Sequence, residues 1–274
     1  MKENNSPIRN PQSTILVTGG SGEIGSAICK KFAENGFSVI ATYNSNSAKA
    51  EKLLAELNAI RNPQSEIPNH SIFHAPTTDA EKVAELKAFI AEKYGKLDVL
   101  VNNAGITTPV PHDDLDGLTD EWIDKIMQTN FRGSFAMVRA MRDLLDIAIE
   151  KNPQSEIVNP KSSLIVNISS IAGIYGIGSN VAYCASKAAV DSMTRSLARS
   201  LAPKIRVVSV SPGFVEGEYT KSFDAGFLQN QRDNTPLGRF ATGNDVAEAV
   251  YAVATILTFS TGNIITVDGG RLLK

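Results

Sequence analysis

The sequence predicts one α/β domain built on a doubly wound parallel sheet, and three observations predict it. Short β-rich runs alternate with longer stretches of helical period from end to end, and crossovers of that kind bring each strand back parallel with helices on both faces. The first strand runs straight into a glycine-rich turn and then a helix, Thr18-Gly19-Gly20-Ser21-Gly22-Glu23-Ile24-Gly25. The chain has 274 residues, 42% apolar and 20% charged, which suits one large core rather than two small ones.

Taken in order, Thr14–Thr18 reads as a buried strand. Ile24, Ile28 and Phe32 then recur every four residues, and Asn35-Gly36 supplies a C-terminal stop. Phe37–Tyr43 is the second strand, followed by a helix with a charged outer face from about Asn46 to Arg61. Ser71–Ala75, Leu97–Val101, Leu164–Ile168, Ile205–Val210 and Asn263–Val267 complete the strands. Between them lie helices at Asp79–Tyr94, Thr119 to about Lys151, Val181–Ala202 and Asp245–Leu257, with Pro203 ending the third of these. Ligands of such sheets bind beyond the carboxyl ends of the strands.

Composition excludes several classes. A formal net charge of −2 exerts no long-range pull on nucleic acid or anionic membrane. Residues 1–13 read as a polar N-terminal extension without the apolar core of a secretory signal, and no apolar run is long enough to span a bilayer. Cys29 and Cys184 are too few for a disulfide framework, and His70, His74 and His112 are too scattered for a metal site. A cytoplasmic protein is expected. Asn-Pro-Gln-Ser recurs at 10–13, 62–65 and 152–155. Each copy precedes a strand, so these segments read as polar insertions in surface loops at the end of the sheet opposite the expected site.

The chemistry is expected at Tyr183 and Lys187, with Ser170 thirteen residues before the tyrosine. Residues four apart share a helix face. A tyrosine near pKa 10 shuttles protons poorly at neutral pH, and lowering it by about three units needs roughly 4 kcal/mol, within reach of a close cation plus a charged ligand. The glycine turn at the start of a helix would let a diphosphate approach free N–H groups and the positive end of the helix dipole.

Ordered motifs extend this pattern. Asn102-Asn103-Ala104-Gly105 follows the fourth strand, Asn130 lies in Gln128-Thr129-Asn130, Pro212-Gly213 follows the sixth strand, and Val267-Asp268-Gly269-Gly270 closes the chain. With these motifs the chain resembles the short-chain dehydrogenase/reductase family from Ile15 to Gly270, most closely its 3-oxoacyl-carrier-protein reductase branch. The resemblance implies a Rossmann-like fold and hydride transfer between a nicotinamide and a ketone or secondary alcohol. It implies that Tyr183 is the general acid, that Lys187 binds the ribose, that Ser170 holds the substrate oxygen, and that Asn130 positions a relay water. Cofactor contacts are implied at Gly19, Ser21, Ile24, Gly25, Asn44, Asn103, Gly105, Tyr183, Lys187 and Val215. The second strand ends in Tyr43-Asn44-Ser45-Asn46-Ser47 without an acid, and Lys49 follows. This favours NADP(H), with NAD(H) left open.

Three positions depart from the family pattern: Glu23 replaces a glycine, Pro76 an adenine-binding aspartate, and Gly217 a threonine. His112 reads as a solvated loop residue near the substrate mouth, and Ser222–Asn234 resembles a substrate lid bearing Phe223, Phe227 and Leu228. Arg132, Arg139, Arg142 and Arg195 would suit an acidic carrier protein, and assembly as a homodimer or homotetramer through the two long helices is implied. Two alternatives stand beside this reading: a sugar or secondary-alcohol dehydrogenase, and a non-catalytic nucleotide-binding regulator.

Overall fold

The computed structural model describes residues 13–60, 70–151 and 162–273. The N-terminal extension, except Ser13, and the Asn-Pro-Gln-Ser segments at 62–65 and 152–155 lie outside the described residues.

Seven parallel strands form one sheet: β1 (Thr14–Val17), β2 (Ser38–Tyr43), β3 (Ser71–His74), β4 (Val99–Asn102), β5 (Ser163–Ile168), β6 (Ile205–Pro212) and β7 (Ile264–Val267). Their order is β3-β2-β1-β4-β5-β6-β7. Strand order therefore reverses at β1, which pairs Leu16 with Ile40 of β2 on one side and with Leu100 of β4 on the other. That reversal opens the crevice in which doubly wound sheets bind ligands.

Alternate strand residues feed two cores, as the two-residue period requires. Ile15, Val17, Val39, Val99 and Val101 pack with Ile28 and Phe32 of α1 (Glu23–Glu34) and Val246 and Val250 of α9 (Gly243–Thr255). Leu16, Ile40, Leu100 and Ile165 pack instead with Leu86 and Ile90 of α3 (Ala80–Lys93) and Met137, Met141 and Leu145 of α5 (Ser134–Lys151). Helices thus cover both faces, giving the doubly wound, Rossmann-like fold that the sequence predicts. Between α1 and α3 lies α2 (Ser47–Ala59), and Val181–Leu201 forms the long α7.

Two departures from the expected elements lie beside the crevice. The single helix expected over Thr119–Lys151 is three pieces: α4 (Asp120–Met127), a π-helical turn (Gln128–Gly133) and α5. Such turns insert a residue into the helical ladder and turn a side chain off its regular face, and this one carries Asn130. A short helix, α6 (Ile171–Tyr175), has no counterpart among the elements read from the sequence. Ser170 caps its start, and Gly176, at φ 68°, closes it in the left-handed conformation. Gly173 lets α6 lie against α7, since a Cβ there would stand 2.6 Å from the Lys187 carbonyl carbon. The lid segment holds α8 (Ala225–Asp233), preceded by a 3₁₀ turn at Glu218–Ser222.

At the edge of the sheet His70 is held neutral. Its Nδ1 accepts the Val39 N–H at 3.2 Å, and burial, reinforced by the nearby Lys93, pulls its pKa from 6.5 to about 4. A depressed histidine pKa means that the unfolded chain binds more protons below pH 6.5. The stabilisation is complete above that pH and is lost as pH falls toward 4. We expect the urea midpoint to drop between about pH 7 and about pH 5 by more in the wild type than in His70→Asn, whose carbonyl oxygen can replace Nδ1 as acceptor. Equal drops in both proteins would contradict this.

Candidate active site

The glycine turn and the β4 turn are stitched together at the strand ends. Thr18 Oγ1 accepts the N–H groups of Asn103 and Ala104, both at 3.0 Å. Asn103 Nδ2 returns bonds to Thr18 O at 2.9 Å and Gly19 O at 3.1 Å. Close approach explains the glycines. Gly19 has φ 62°, a Cβ on Gly20 would stand 2.6 Å from Ala41 Cβ, and one on Gly25 would stand 2.8 Å from Asn103 Nδ2. Gly22 caps α1 without a side-chain hydrogen bond, so the first-turn N–H groups and the helix dipole face the crevice uncapped by any side chain.

Across the crevice, α7 begins at the Asn180 cap, whose Oδ1 accepts the Tyr183 N–H at 2.7 Å. One turn later the Lys187 Nζ donates to Ile168 O at 2.8 Å and stands 5.6 Å from the Tyr183 ring centroid. Burial pulls the Lys187 pKa down to about 8, opposed by the buried carboxylate of Asp191, so the ammonium is still mostly protonated at neutral pH. Ser170 lies in extended backbone at the end of β5, and its Oγ accepts the Ala172 N–H at 3.1 Å. A hydroxyl used in this way keeps its own proton to donate. Asn130 is buried behind Gly105. Its Oδ1 accepts the Ile106 N–H at 2.8 Å, and its Nδ2 donates to Ile106 O and to Ser186 Oγ, both at 3.0 Å. Both amide protons are therefore committed within the protein, and a water near this residue would have to bond to a carbonyl oxygen instead.

Several supporting residues do not stand out in the sequence. Ser186 anchors Asn130. Ser169 Oγ donates to Lys187 O at 3.1 Å, and Asp191, one turn beyond Lys187, accepts from Ser209 Oγ at 2.9 Å. Behind them Asn102, Asn167 and Thr194 form a buried chain with bonds of 2.9 and 2.8 Å. Spacing of four along α7 would have drawn attention to Asp191; the others depend on contacts between distant segments.

A cavity of about 1490 Å³ joins these parts. It exceeds the roughly 300–1,000 Å³ usual for one small ligand, so it can hold a dinucleotide and a substrate together. Of the expected site residues, Ser21, Ile24, Asn103, Gly105, Ser170, Tyr183, Lys187 and Val215 line it. Gly19, Gly25 and Asn130 stand outside the lining, in supporting positions. Asn44 is exposed beyond β2 and is not in the wall; Lys30, Lys49 and Lys52 occupy that end instead. Glu23 and Gly217 both line the cavity, whereas Pro76 does not.

The substrate end is apolar. Phe223 and Phe227 stack at 4.8 Å, Phe214 lies 6.1 and 6.2 Å from them, and all three line the cavity. His112 is not merely solvated: its Nε2 donates to Gly178 O at 3.1 Å and lies 4.0 Å from Cys184 Sγ. Together with the Thr107–Ser179 hydroxyl contact and the 2.7 Å bond from Asn180 Nδ2 to Thr108 O, it ties the loop after β4 to the loop before α7. Among the described residues no three His, Cys, Asp or Glu gather as a metal site, and no helix is long and apolar enough to cross a membrane. Arg132, Arg139, Arg142 and Arg195 are exposed.

The model of the family described as enoyl-(acyl carrier protein) reductase matches residues 20–271. The chain is 33% identical over 267 residues to ketoacyl reductase 2 of the granaticin polyketide synthase of Streptomyces violaceoruber, covering 96% of this chain and 98% of that one. It is 31% identical over 260 residues to the 3-oxoacyl-[acyl-carrier-protein] reductase FabG of Thermotoga maritima, covering 94% and 97%. A crystal structure of a short-chain dehydrogenase/reductase from Burkholderia xenovorans superposes with a TM-score of 0.84 at 30% identity, covering 97% of this chain and all of that one.

Proposed function

Because the chain belongs to the short-chain dehydrogenase/reductase family, we propose that it is an NADP(H)-dependent reductase of ketones of the 3-oxoacyl type. The observation that carries this reading is the grouping of Tyr183, Lys187 and Ser170 on one wall of a cavity whose other end is the uncapped start of α1.

The residues present fit a nicotinamide dinucleotide. The α1 N–H groups and the Gly19–Ile24 backbone would hold the diphosphate, and Gly105 leaves room beside Asn130, since a Cβ there would lie 3.3 Å from its Oδ1. Val215 bridges to Ala241 through the Phe214 carbonyl and the Glu216 N–H, which leaves its own N–H and carbonyl for a carboxamide. The bound reduced nicotinamide would supply the hydride to the carbonyl carbon. Ser170 donates its free proton to the carbonyl oxygen as a hydrogen bond and polarises it. Tyr183 transfers its phenolic proton to that oxygen, completing the alcohol. Lys187, charged at neutral pH, favours the phenolate left behind and would bind the ribose hydroxyls. Asn130 fixes the Ile106 backbone and Ser186 beneath them, and a relay water would bond to a carbonyl oxygen there.

Cofactor choice rests on the lysines. Lys30 and Lys52 both face Glu56, at 2.8 and 3.9 Å, while Lys49 interacts at longer range with Glu218 of the 3₁₀ turn before the lid. Among the described residues lining that end, Lys49 makes no ion pair with Glu56, and it is the cation assigned to a 2′-phosphate. Assay of β-keto esters, diketones and sugars with both cofactors tests this. We expect β-keto substrates to be reduced with a kcat/KM at least about tenfold higher for NADPH than for NADH, and Lys49→Ala to narrow that ratio. Equal efficiency with both cofactors would contradict the assignment.

An acyl chain on Phe214, Phe223 and Phe227, delivered on an acidic carrier protein, completes the proposed substrate. We further propose a homodimer or homotetramer formed through α5 and α7, on which Phe135 and Val181 are 42% and 49% exposed. The same reading assigns the enzyme to the cytoplasm, where the two thiols, Cys29 and Cys184, stay reduced.

A further inference from the structure

Glu23 and Gly217, which look like separate departures in the sequence, are neighbours in space. Glu23 is the first residue of α1, and Gly217 immediately precedes the 3₁₀ turn that leads into the lid segment. A Cβ at position 217 would stand 3.0 Å from Glu23 Cγ and 3.4 Å from its Cδ and Oε2. A Cβ there would make the exposed Glu23 side chain give by a few tenths of an ångström, and a larger group would push it further. Backbone conformation is not the reason for the glycine: φ 169° and ψ −164° are extended values open to every residue. The restriction is one of space, and Glu23 fills the space.

The placement matters for what α1 can bind. Its first-turn N–H groups lack a side-chain cap, and a carboxylate in the first turn is drawn to the same positive helix end that a phosphate would use. Lying along Gly217, the Glu23 side chain is directed toward the 3₁₀ turn before the lid, where the Lys221 ammonium is stabilised first by Glu218, at 2.7 Å, and more weakly by Glu23.

We propose that Glu23 and Gly217 form one coupled positioning pair, in which the notch at Gly217 holds the carboxylate aside and keeps the start of α1 open for the cofactor diphosphate. This rests on the nicotinamide-cofactor reading above. The side chain at 217 then governs cofactor affinity through Glu23, and a larger residue there is harmful only while the glutamate is present.

Calorimetric titration of NADPH into the wild type, Gly217→Thr, Glu23→Gly and the double variant tests the pair, with melting of each cofactor-free protein as the control for folding. Gly217→Thr is expected to weaken NADPH binding by about tenfold or more when Glu23 is present. In the Glu23→Gly background the same change is expected to weaken it by less than about threefold, a coupling in the range measured for contacting residues. If the threonine variant fails to fold, Gly217→Ala adds the Cβ alone and the same cycle applies. Equal losses in both backgrounds would overturn the proposal while leaving the function intact. A wild type that binds neither NADPH nor NADH would overturn the functional reading, and this proposal with it.

Discussion

Tyr183→Phe is expected to lower kcat for ketone reduction by about 10²- to 10⁴-fold, the range spanned by a positioned general acid, while NADPH affinity and melting temperature stay near wild type. Phenylalanine keeps the ring beside Lys187 Nζ, which lies 5.6 Å from the Tyr183 centroid, and the backbone N–H bond to the Asn180 cap. It removes only the oxygen that carries the transferred proton. Ser170 cannot substitute for it. An aliphatic hydroxyl is far less acidic than a phenol. Stopped-flow and steady-state assays with saturating NADPH separate the cases. A fall in kcat without a change in cofactor Kd assigns the proton step to Tyr183. An unchanged kcat would remove it from the mechanism.

Asp98→Ala is expected to cost about 3–5 kcal/mol of stability, the range for breaking one side of a buried ion pair, and to lower the melting temperature by on the order of 10 °C. Asp98 and Lys96 are 4% and 6% exposed, and their charges meet at 3.1 Å. Asp98 also accepts the Thr14 N–H at 2.7 Å and the Thr14 hydroxyl at 3.1 Å. Its removal strands two donors between β1 and β4, the Thr14 N–H and the buried Lys96 cation, while the Thr14 hydroxyl keeps the Lys96 carbonyl oxygen at 3.1 Å. Burial raises the Asp98 pKa and the lysine opposes that shift, so the pair holds its charges only while both members are present. Replacing both residues with apolar side chains should recover much of the loss. The pair lies at the amino ends of β1 and β4, away from the crevice, so protein that remains folded should keep wild-type kcat. Calorimetric melting with residual-activity assays checks both points, and a melting point within about 2 °C of wild type would contradict the account.

The fold is legible because each strand announces itself locally. Ile15-Leu16-Val17 and Val99-Leu100-Val101 are apolar on both faces, as strands buried on both sides are. Much of the site is legible for a related reason: Tyr183 and Lys187 share one helix face, and Ser170 ends the neighbouring strand. The π-helical turn is not legible, because the helical period continues through Gln128–Gly133 and what draws Asn130 inward is Ile106 and Ser186 on other segments. The Ser170–Gly176 cap pair does signal α6, but five residues between a strand and a helix carry too little period to be read as a helix. Asn44 is expected in the cofactor wall from its position after β2, yet the wall there is formed by the long side chains of α1 and α2. Glu23 and Gly217 each look like a loss when read singly. Their complementarity is visible only across the crevice.

The most direct test of the central claim follows the hydride itself. NADPH carrying deuterium at the transferable position is incubated with the enzyme and a 3-oxoacyl thioester, and the product is examined by mass spectrometry and NMR. The account predicts one deuterium on the new hydroxyl-bearing carbon, formed with the wild type and at no more than about a hundredth of that rate with Tyr183→Phe. Binding of NADPH with no label transferred to any carbonyl in the panel would contradict it and identify a nucleotide-binding protein without turnover.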